Sequence, residues 1–367
     1  MTRSTIDRRT FLTAAAFAPA AGAVSATSID TRCWQIGAPG GFETMRLVDR
    51  SLAPPAASEV VVEVTTSAIA ARDLGIVQGW FLEDKPPHLI PLSEGVGVVV
   101  AAGEQVTHVR PGDRVVCVHF AGWVDGPWTP DNYRMDVGNT IDGWLGEHVV
   151  LPASGVTRVP DAVTDDTAAT MSGSGITAWH ALHEVGRVKS GDLVLTLGTG
   201  GVSSWGLLLA KAAGARVAVT SSSDEKLDLM RTLGADITIN YRRHPDWGER
   251  LLADTGGQGA DIVLENVGRA TLDQSMHACA NNAMIVMIGT GRLPDELPRM
   301  PGLYIRNLAL KAISNGSRSM MDDMLRAVAA NGIDALVARA FEFADAVEAF
   351  QFMARSGHAG KVIIRHA

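Results

Sequence analysis

The stretch that decides the fold runs from Leu193 to Ser203 and reads LVLTLGTGGVS. Its apolar start predicts a buried strand, and the glycines after it predict a tight turn that opens a helix. In such a turn the backbone can approach a pyrophosphate, whose charge then meets the positive helix N-terminus. Ser203 stands where the third glycine of G-x-G-x-x-G would be, so the strand-to-helix context carries this prediction. The candidate nucleotide-binding residues of the turn are Gly198, Thr199, Gly200, Gly201 and Val202.

Strands and helices alternate on the carboxyl side of this turn. Helices are predicted at Gly206–Ala213 and Asp224–Leu233, and the further strands are predicted at 216–220, 237–239, 262–264 and 285–288. This alternation predicts parallel βαβ units and a doubly wound sheet. Residues 38 to about 160 instead combine short strands with Gly-Pro turns, which predicts a separate β-rich domain. An α/β protein of two domains is therefore expected.

The end of the second strand indicates which dinucleotide is bound. NAD-binding chains place Asp or Glu about 20 residues past the glycines, where the carboxylate accepts the ribose hydroxyls. Here the strand ends in Ser221, Ser222 and Ser223, and Lys226 follows one turn into the helix. Hydroxyl and ammonium donors suit a 2′-phosphate, so Ser221, Ser222 and Lys226 predict NADP(H) as the cofactor. The alternative is that the serines only cap the helix, since Ser222 and Glu225 match the S-x-x-E capping box.

Composition limits the function classes. The 367 residues carry a net charge of -8 at pH 7, which argues against a nucleic-acid partner because a phosphate-binding surface needs excess Lys and Arg. Cys33, Cys117 and Cys279 are far apart, so neither a disulfide framework nor a cysteine-based metal site is expected. The 38 glycines suit an α/β enzyme, whose backbone makes many tight turns.

Residues 1–26 are expected to lie outside the fold. Arg8 and Arg9, followed by an Ala-rich apolar run and by Val24-Ser25-Ala26, match a twin-arginine export signal with cleavage after Ala26. The run is too short and too rich in alanine for a permanent membrane anchor. These features predict a periplasmic mature protein, and the alternative is a disordered basic tail on a cytoplasmic protein.

Several segments occur in the order in which a known superfamily carries them. They are 90–97 (IPLSEGVG), 109–115 (VRPGDRV), 188–192 (VKSGD), 198–202 (GTGGV), Lys226 with 233–236 (LGAD), and 360–364 (GKVII). From about residue 41 to the end, the chain resembles the medium-chain dehydrogenase/reductase superfamily. The resemblance implies a GroES-like catalytic domain at 27–160 and 315–367, a Rossmann domain at 161–314, and a homodimer. The last strand, 361–364, would return to the first domain and is expected to be short and edge-like.

The chain departs from the zinc-dependent members of that superfamily. Those members place Cys in the segment corresponding to 70–73, His before the Glu of Ser93-Glu94, and another Cys near Gly173-Ser174. Alanine, serine and glycine cannot supply the thiolate and imidazole ligands that zinc needs, so no bound metal is expected. The chain is instead similar to zinc-free quinone oxidoreductases, enoyl reductases and alcohol dehydrogenases, although Ala70 stands where quinone oxidoreductases carry Asn.

Without zinc, the hydride acceptor must be polarised by hydrogen bonds or be electrophilic itself. An apolar or aromatic quinone or α,β-unsaturated carbonyl fits, because the protein then needs only positioning, oxyanion donors and a proton source. The loop 119–147 is the candidate substrate wall, since it carries Trp123, Trp128, Tyr133 and Trp144. Tyr133 and His119 are the candidate proton donors. The alternatives are that the aromatic residues only fasten the loop and that Tyr133 hydrogen-bonds the backbone.

Position along the chain suggests the remaining site residues. The further cofactor candidates are Thr177, Asn266, Gly289 and Thr290. Thr177 begins the helix that enters the nucleotide domain, and the others follow the fourth and fifth strands, at the sheet edge where open α/β sheets bind nucleotides. His180, beside Thr177, is expected to be structural, and Arg72 is expected to pair with Asp73.

Three functions remain open from the sequence. The leading one is an NADPH-dependent reductase of quinones or conjugated carbonyls, and the second is zinc-free oxidation of a secondary alcohol. The third is a nucleotide sensor or structural protein that uses the same fold without catalysis.

Overall fold

The computed structural model describes residues 28–37, 40–79, 86, 88–289 and 301–366. The first part of the chain is β-rich and begins with an antiparallel hairpin of β1 (Ile29–Gln35) and β2 (Arg46–Leu52). The elements that follow are β3 (Glu59–Ile69), α1 (Ala71–Val77), β4 (Glu94–Ala102), β5 (Arg114–Cys117), β6 (His148–Pro152) and β7 (Val156–Arg158).

Strand β3 is the centre of the first sheet. It pairs antiparallel with both β4 and β6, and its consecutive β-branched residues Val60, Val61 and Val62 are fully buried. Burial of successive side chains means that both faces of the strand are covered. The strand ends at Ile69 and leads at once into α1, which fixes the position of residues 70–73.

The second domain is built on a parallel sheet. Its strands are β8 (Leu193–Leu197), β9 (Arg216–Ser221), β10 (Ile237–Asn240), β11 (Ala260–Glu265), β12 (Cys279–Met287) and β13 (Ala309–Ala312). Within the described ranges they form one six-stranded sheet in the order β10-β9-β8-β11-β12-β13. This is the 3-2-1-4-5-6 order of a doubly wound dinucleotide fold. The predicted doubly wound sheet is confirmed, and β13 was not predicted.

Helices precede and separate these strands. They are α2 (Asp165–Ala168), α3 (Ile176–Trp179), α4 (Gly201–Ala212), α5 (Asp224–Thr232), α6 (Trp247–Asp254), α7 (Leu272–Ala278) and α8 (Pro301–Ile305). Helix α3 is extended by π-helical turns at Met171–Gly175 and His180–Val185. Helix α4 begins at Gly201 rather than at the predicted Gly206, because the glycine turn opens directly into it. Among the described residues, no helix is both long and apolar enough to cross a membrane.

The chain then returns to the first sheet. The last elements are α9 (Arg318–Asn331), β14 (Val337–Glu342), α10 (Ala346–Ala354) and β15 (Lys361–Arg365). The return is confirmed, because β15 pairs antiparallel with β3. The expected edge position is wrong, since β14 covers the other side of β15 and Val362, Ile363 and Ile364 are fully buried.

Helix α9 lies where the two domains meet. It contacts α3 and β7, and its buried Met321 and Met324 share a hydrophobic core with Trp205 of α4. The segment 315–367 therefore contributes strands to the first sheet and one helix to the core of the nucleotide domain.

Candidate active site

The turn after β8 has the geometry that a dinucleotide requires. Gly198 has a φ of 83°, the left-handed region that favours glycine. At Gly198 and Gly200 no described atom lies within 4 Å of the place that a Cβ would take, so the space beside the turn is open. Gly200 is the N-cap residue of α4, and the first N–H groups and positive end of that helix lie at this turn. Val202, one residue into α4, packs partly buried against the core.

The same turn is joined to the end of the chain. The Gly360 N–H donates a hydrogen bond to the Thr199 carbonyl at 2.8 Å. A Cβ at Gly201 would lie 2.5 Å from Cδ of Lys361 and 2.5 Å from Oγ of Ser174. Glycine therefore lets α4 begin against Ser174 and against Lys361 of the first domain, and the nucleotide turn forms part of the domain junction.

Ser203 stands at the position of the third glycine, and its side chain makes hydrogen bonds within the fold. Its hydroxyl donates to the Leu197 carbonyl at 2.8 Å and accepts from Asn266 Nδ2 at 2.9 Å. The Asn266 Oδ1 atom is buried and has no hydrogen-bond partner among the described residues. Buried acceptors are normally paired, and the nicotinamide half of a dinucleotide carries donors that could reach this strand end. Open glycines, a helix N-terminus and an unpaired acceptor together fit a dinucleotide.

The serines after β9 lie where they were predicted, but the helix cap is one residue later. Ser223, not Ser222, is the N-cap of α5, and its Oγ accepts from the Lys226 N–H at 3.4 Å. The Ser223 hydroxyl donates to Glu225 at 2.9 Å, so the expected Ser222–Glu225 box is wrong. Ser221 is buried and accepts from the Ser223 N–H at 3.4 Å. Ser222 takes no part in the cap, and like the half-buried Lys226 it follows the carboxyl end of β9, the candidate ribose end of the site.

His358 lies near Lys226, whose charge acts on its imidazole ring. Its ring lies 5.6 Å from that of Phe352, centroid to centroid, and two residues before Gly360. Burial lowers the pKa of His358, and the charges of Lys226 and Lys361 lower it further. Sequence reasoning missed this residue because it approaches the ribose end from a distant part of the chain.

The helix that enters the nucleotide domain contributes Thr177 and His180. The Thr177 hydroxyl donates to the Gly173 carbonyl at 2.6 Å and accepts from Asn315 Nδ2 at 3.1 Å. His180 Nδ1 lies 2.8 Å from the Asn315 carbonyl, so this nitrogen carries the hydrogen. Burial lowers the pKa of His180, which keeps the ring neutral. These contacts fasten the segment after β13 to the helix of Thr177.

Gly289 follows β12 and lies close to the carboxyl end of the neighbouring strand β11. A Cβ there would lie 2.2 Å from the carbonyl oxygen of Asn266, and the Gly289 N–H donates to the Glu265 carbonyl at 2.9 Å. The glycine thus allows the chain to pass tightly over the carboxyl end of β11. Thr290, the next cofactor candidate, lies outside the described residues.

A buried ion pair joins the segments where the zinc-dependent proteins place their ligands. Lys361 Nζ lies 3.0 Å from Glu94 Oε2 and donates to the Ile69 carbonyl at 2.8 Å and to Ser174 Oγ at 3.2 Å. Glu94 Oε1 accepts from the Ser174 N–H at 2.9 Å. Burial raises the pKa of Glu94 to about 7, although the charge of Lys361 lowers it. A Cβ at Gly173 would lie 1.9 Å from Glu94 Oε1, so glycine there makes room for the carboxylate.

The expected pair of Arg72 with Asp73 is wrong. The two side chains leave α1 in different directions, because successive helical residues are about 100° apart. Asp73 accepts from the Ala70 N–H at 2.7 Å and from the Ser93 hydroxyl, and burial raises its pKa. Arg72 instead donates to both carboxylate oxygens of the buried Asp136, at 2.8 and 2.7 Å. Within the described ranges, no group of three or more His, Cys, Asp or Glu side chains is placed to hold a metal ion.

The predicted substrate wall is a compact aromatic cluster, composed of Phe120, Trp123, Trp128 and Tyr133. Neighbouring rings within it lie 4.5 Å to 5.3 Å apart, centroid to centroid. Phe120 and Trp123 are buried, whereas Tyr133 is 45% exposed. Trp144 does not belong to this wall, because it is fully buried in the core of the first domain. The aromatic cluster presents the half-buried Trp128 and the exposed Tyr133 at its open side.

The aromatic cluster is fastened to the nucleotide domain. The Arg318 N–H donates to the Trp123 carbonyl at 2.9 Å, and the Ser319 N–H donates to the Val124 carbonyl at 3.0 Å. The Trp123 ring also lies edge-on to His180, with centroids 5.9 Å apart. The loop therefore spans the junction between the domains, where a substrate could meet a nicotinamide.

The two candidate proton donors have different surroundings. Burial lowers the pKa of His119 well below its ordinary value, and the charge of Arg72 lowers it further. His119 is therefore neutral at physiological pH, and its Nδ1 finds no hydrogen-bond partner in the described part of the chain. Tyr133 lies on the exposed side of the aromatic cluster, and a phenol hydroxyl can donate or accept a hydrogen bond. Of the two candidates, Tyr133 is the exposed one, since His119 is only 4% exposed.

Comparison with known proteins identifies the family. Residues 56–161 match a family model described as an alcohol dehydrogenase GroES-like domain, and residues 201–330 match one described as a zinc-binding dehydrogenase. A zinc-type alcohol dehydrogenase-like protein from Schizosaccharomyces pombe is 37% identical over 313 residues, which cover 84% of this chain and 90% of that protein. The chain belongs to the medium-chain dehydrogenase/reductase superfamily.

Solved structures of this superfamily superpose on the chain. A putative alcohol dehydrogenase from Sinorhizobium meliloti 1021 has a TM-score of 0.86 at 35% identity, over 92% of this chain and 99% of that one. An NAD-dependent alcohol dehydrogenase has a TM-score of 0.83 at 29% identity, over 91% and 99%. A quinone oxidoreductase from Pseudomonas syringae pv. Tomato DC3000 has a TM-score of 0.75 at 26% identity, over 91% and 99%. The predicted GroES-like and Rossmann domains of a medium-chain dehydrogenase/reductase are confirmed.

Besides His358, two residues of this medium-chain dehydrogenase/reductase site were not predicted from the sequence. Lys361 was recognised only as part of the G-K-V-I-I landmark, although a lysine in an apolar strand signals a buried partner. Asn315 follows β13, a strand that the pattern did not reveal. Both residues act at the domain junction, where the contacts join segments distant in sequence.

Proposed function

We propose that this medium-chain dehydrogenase/reductase enzyme is a zinc-independent reductase that transfers hydride from NADPH to a quinone or an α,β-unsaturated carbonyl. The observation that carries the proposal is the pairing of charges in the site. Lys361 is bound by Glu94, and Arg72 is bound by Asp136. Cations that are already neutralised polarise a carbonyl weakly, which favours an acceptor that is electrophilic by itself.

The donor set at the metal position does not fit a catalytic zinc ion. Ala70, Ser93 and Gly173 lack the thiolate and imidazole groups that zinc needs, although one matching family model is described as zinc-binding. The ammonium group of Lys361 takes the contacts among Ile69, Glu94 and Ser174 instead. Zinc independence rests on these residue types.

The chain's own residues would bind and orient the reactants. Residues 198–201 and the start of α4 would hold the pyrophosphate, and Asn266 would accept a hydrogen bond from the nicotinamide half. When bound, NADPH supplies the hydride. The aromatic cluster would hold a planar acceptor at the junction and exclude water, and the Tyr133 hydroxyl would donate the proton that completes the reduction.

The preference for NADPH rests on the ribose end of the site. Ser222 and Lys226 offer a hydroxyl and a positive charge there, and none of the three serines after β9 supplies the carboxylate that would bind the ribose of NAD. A charge-assisted hydrogen bond from Lys226 is worth about 10- to 100-fold in affinity. Lys226→Ala should therefore weaken NADPH binding by that factor and leave NADH binding nearly unchanged.

The test measures dissociation constants of NADPH and NADH by fluorescence titration, followed by NADPH consumption with an enone, a quinone and a simple ketone. Lys189→Ala, at an exposed turn, is the matched lysine control. Equal affinity of the wild-type protein for NADH and NADPH would contradict the cofactor proposal. Turnover of simple ketones or alcohols without enones would contradict the substrate proposal, and tight binding without any turnover would favour a nucleotide sensor.

The second candidate is a zinc-free, NADP-dependent alcohol dehydrogenase or carbonyl reductase. It is favoured by the names of several similar proteins, which are described as alcohol dehydrogenases. Oxidation of a secondary alcohol requires a base for the hydroxyl proton, and the neutral His119 would have to serve. Alcohol oxidation that is lost in His119→Asn but retained in Tyr133→Phe would support this candidate.

We also propose that the enzyme is a homodimer and that it is exported. An exposed edge strand, β13, and the neighbouring Tyr304 and Ile305, which are 83% and 81% exposed, support pairing with a second copy. Export to the periplasm rests on Arg8 and Arg9 and on the Ala-rich run after them, all outside the described residues. Because twin-arginine export carries folded proteins, NADPH bound in the cytoplasm would travel with the enzyme.

A further inference from the structure

Asn315 lies at the carboxyl end of β13 and is held there by contacts to the helix of Thr177. Its Nδ2 donates to the Gly173 carbonyl at 3.2 Å and to Thr177 Oγ1 at 3.1 Å. The carbonyl can only accept, so the nitrogen of the amide must face Gly173 and the oxygen must face the other way. At the next residue, Gly316, a Cβ would lie 2.5 Å from Ile176, so the backbone of this segment is pressed against α3. The hydrogen bonds of Nδ2 and the close packing at Gly316 thus fix the orientation of the Asn315 side chain.

Asn315 Oδ1, on the side of the amide away from Gly173, is an acceptor without a donor. It is buried and has no hydrogen-bond partner among the described residues. An unpaired buried acceptor lowers the stability of the fold unless a ligand or water supplies a donor. Asn266 repeats the arrangement two strands away, since its Nδ2 donates to Thr196 and Leu197 of β8 and its Oδ1 is unpaired among the described residues.

The sheet order indicates which ligand group would reach Asn315. In a 3-2-1-4-5-6 sheet, the first three strands bind one nucleotide and the last three bind the other. The serines and Lys226 lie on the side of β9 and β10, which leaves the nicotinamide half over β11, β12 and β13. Asn315 follows the outermost of these strands and lies beside Thr177. The nicotinamide ring system carries one hydrogen-bond donor group, the NH₂ of its carboxamide.

We propose that Asn315 Oδ1 accepts a hydrogen bond from the carboxamide NH₂ of the nicotinamide and thereby fixes the rotation of the ring. Asn315 is then a positioning and specificity residue for the cofactor. The inference rests on the proposed function only in that the chain binds a nicotinamide dinucleotide. It requires neither the preference for NADP nor a particular substrate.

The test compares NADP⁺ with its 3-acetylpyridine analogue, in which a methyl ketone replaces the carboxamide and removes the donor. Dissociation constants are measured by calorimetry for the wild type, Asn315→Ala and Asn315→Asp, and NAD⁺ with its own acetylpyridine analogue is used if the wild type prefers NAD⁺. The wild type should bind the carboxamide form about 3- to 10-fold more tightly, as expected for one neutral hydrogen bond. Asn315→Ala should bring this ratio close to one.

Asn315→Asp separates the two roles of the side chain. It keeps an acceptor oxygen and loses the amide nitrogen that holds Gly173 and Thr177, so it should retain a ratio well above one even if both affinities fall. Asn331→Ala, which removes an exposed asparagine of α9, should keep the ratio of the wild type. Thermal melting of each variant reports any loss of folding separately.

An Asn315→Ala variant that binds both dinucleotides with the ratio of the wild type would overturn the role of Asn315, as would a wild-type ratio of one. A ratio in Asn315→Asp as low as in Asn315→Ala would overturn it as well. Failure of the wild type to bind any nicotinamide dinucleotide would overturn the proposed function itself. The two failures are therefore distinguishable.

Discussion

Removal of the Lys361 ammonium should destabilise the protein in a way that depends on pH. Lys361 is 3% exposed and Glu94 is fully buried, so Lys361→Met would leave the carboxylate of Glu94 without its cation in a dry environment. Methionine keeps most of the side-chain stem that packs against Gly201. Breaking a buried ion pair from one side typically costs about 3–5 kcal/mol of unfolding free energy. The hydrogen bonds to Ile69 and Ser174 are lost in the same change and are included in this range, because such effects are not additive.

The sign of the pH dependence follows from Glu94. Burial already raises its pKa from an ordinary value of 4.5 to about 7, and Lys361 opposes that rise. Without Lys361 the pKa of Glu94 should be higher still. A carboxyl whose pKa is raised in the folded state binds its proton more tightly there than in the unfolded chain, so folding gains stability as pH falls from about 7 toward 4.5. The loss in Lys361→Met should therefore be larger at pH 8 than at pH 6.

The assay is urea denaturation followed by tryptophan fluorescence at pH 6 and pH 8. It compares the wild type, Lys361→Met, Glu94→Gln and the double variant, with Lys189→Met as the exposed lysine control. In the double variant the unfolding free energy should fall by at least about 1 kcal/mol less than the sum of the decreases in the two single variants. Neither charge is then left unpaired. The reasoning would be refuted if Lys361→Met lost the same unfolding free energy at pH 6 and pH 8 and the effects of the two single substitutions were additive in the double variant.

Four further predictions concern catalysis, metal, assembly and export. Tyr133→Phe should lower enone turnover about 100-fold or more while the NADPH dissociation constant stays nearly the same, and unchanged turnover would move the proton donation to His119 or water. The purified enzyme should contain far less than one zinc atom per chain by elemental analysis and should keep full activity after chelation; stoichiometric zinc would contradict this. Leu310→Asp, on the exposed strand β13, should convert a dimer into a monomer in light-scattering measurements, and an unchanged mass would argue against pairing through this strand. Replacement of Arg8 and Arg9 by lysine should keep the protein in the cytoplasm, and an unaltered distribution between compartments would show that the signal is not used.

Local sequence patterns predicted the strands and turns whose structure is determined by residues close together in the chain. The buried strand β8 was predicted with the bounds that the structure has, Leu193–Leu197, because an apolar run followed by a glycine turn leaves few alternatives. The doubly wound sheet followed from the alternation of such units. The hairpin of β1 and β2 and the strand β14 were missed, because their exposed residues weaken the pattern. Strand β13, with all four of its residues exposed, gave no burial pattern at all.

The place of the candidate site residues in the fold could be predicted where their contacts are local, but not where their partners are distant in sequence. The glycine turn and the serines after β9 lie within one βαβ unit and were found directly. The partner of Arg72 is Asp136, which lies in the substrate loop, and nothing in the local pattern separates it from the adjacent Asp73. Lys361 and Glu94 likewise lie at opposite ends of the fold in sequence, so only the structure joins them.

The position of β15 explains how the two halves of the reaction can be coupled. Gly360 gives a backbone hydrogen bond to the nucleotide turn, and the next residue, Lys361, sends its side chain to Ile69, Glu94 and Ser174. A shift of the turn on cofactor binding would therefore act on the segment that precedes α1, and through α1 on Arg72 beside the aromatic cluster. Strand β15 lies inside the first sheet, with paired neighbours on both sides. The strand that a local pattern suggests is a peripheral edge thus joins the glycine turn after β8 to the segment that precedes α1.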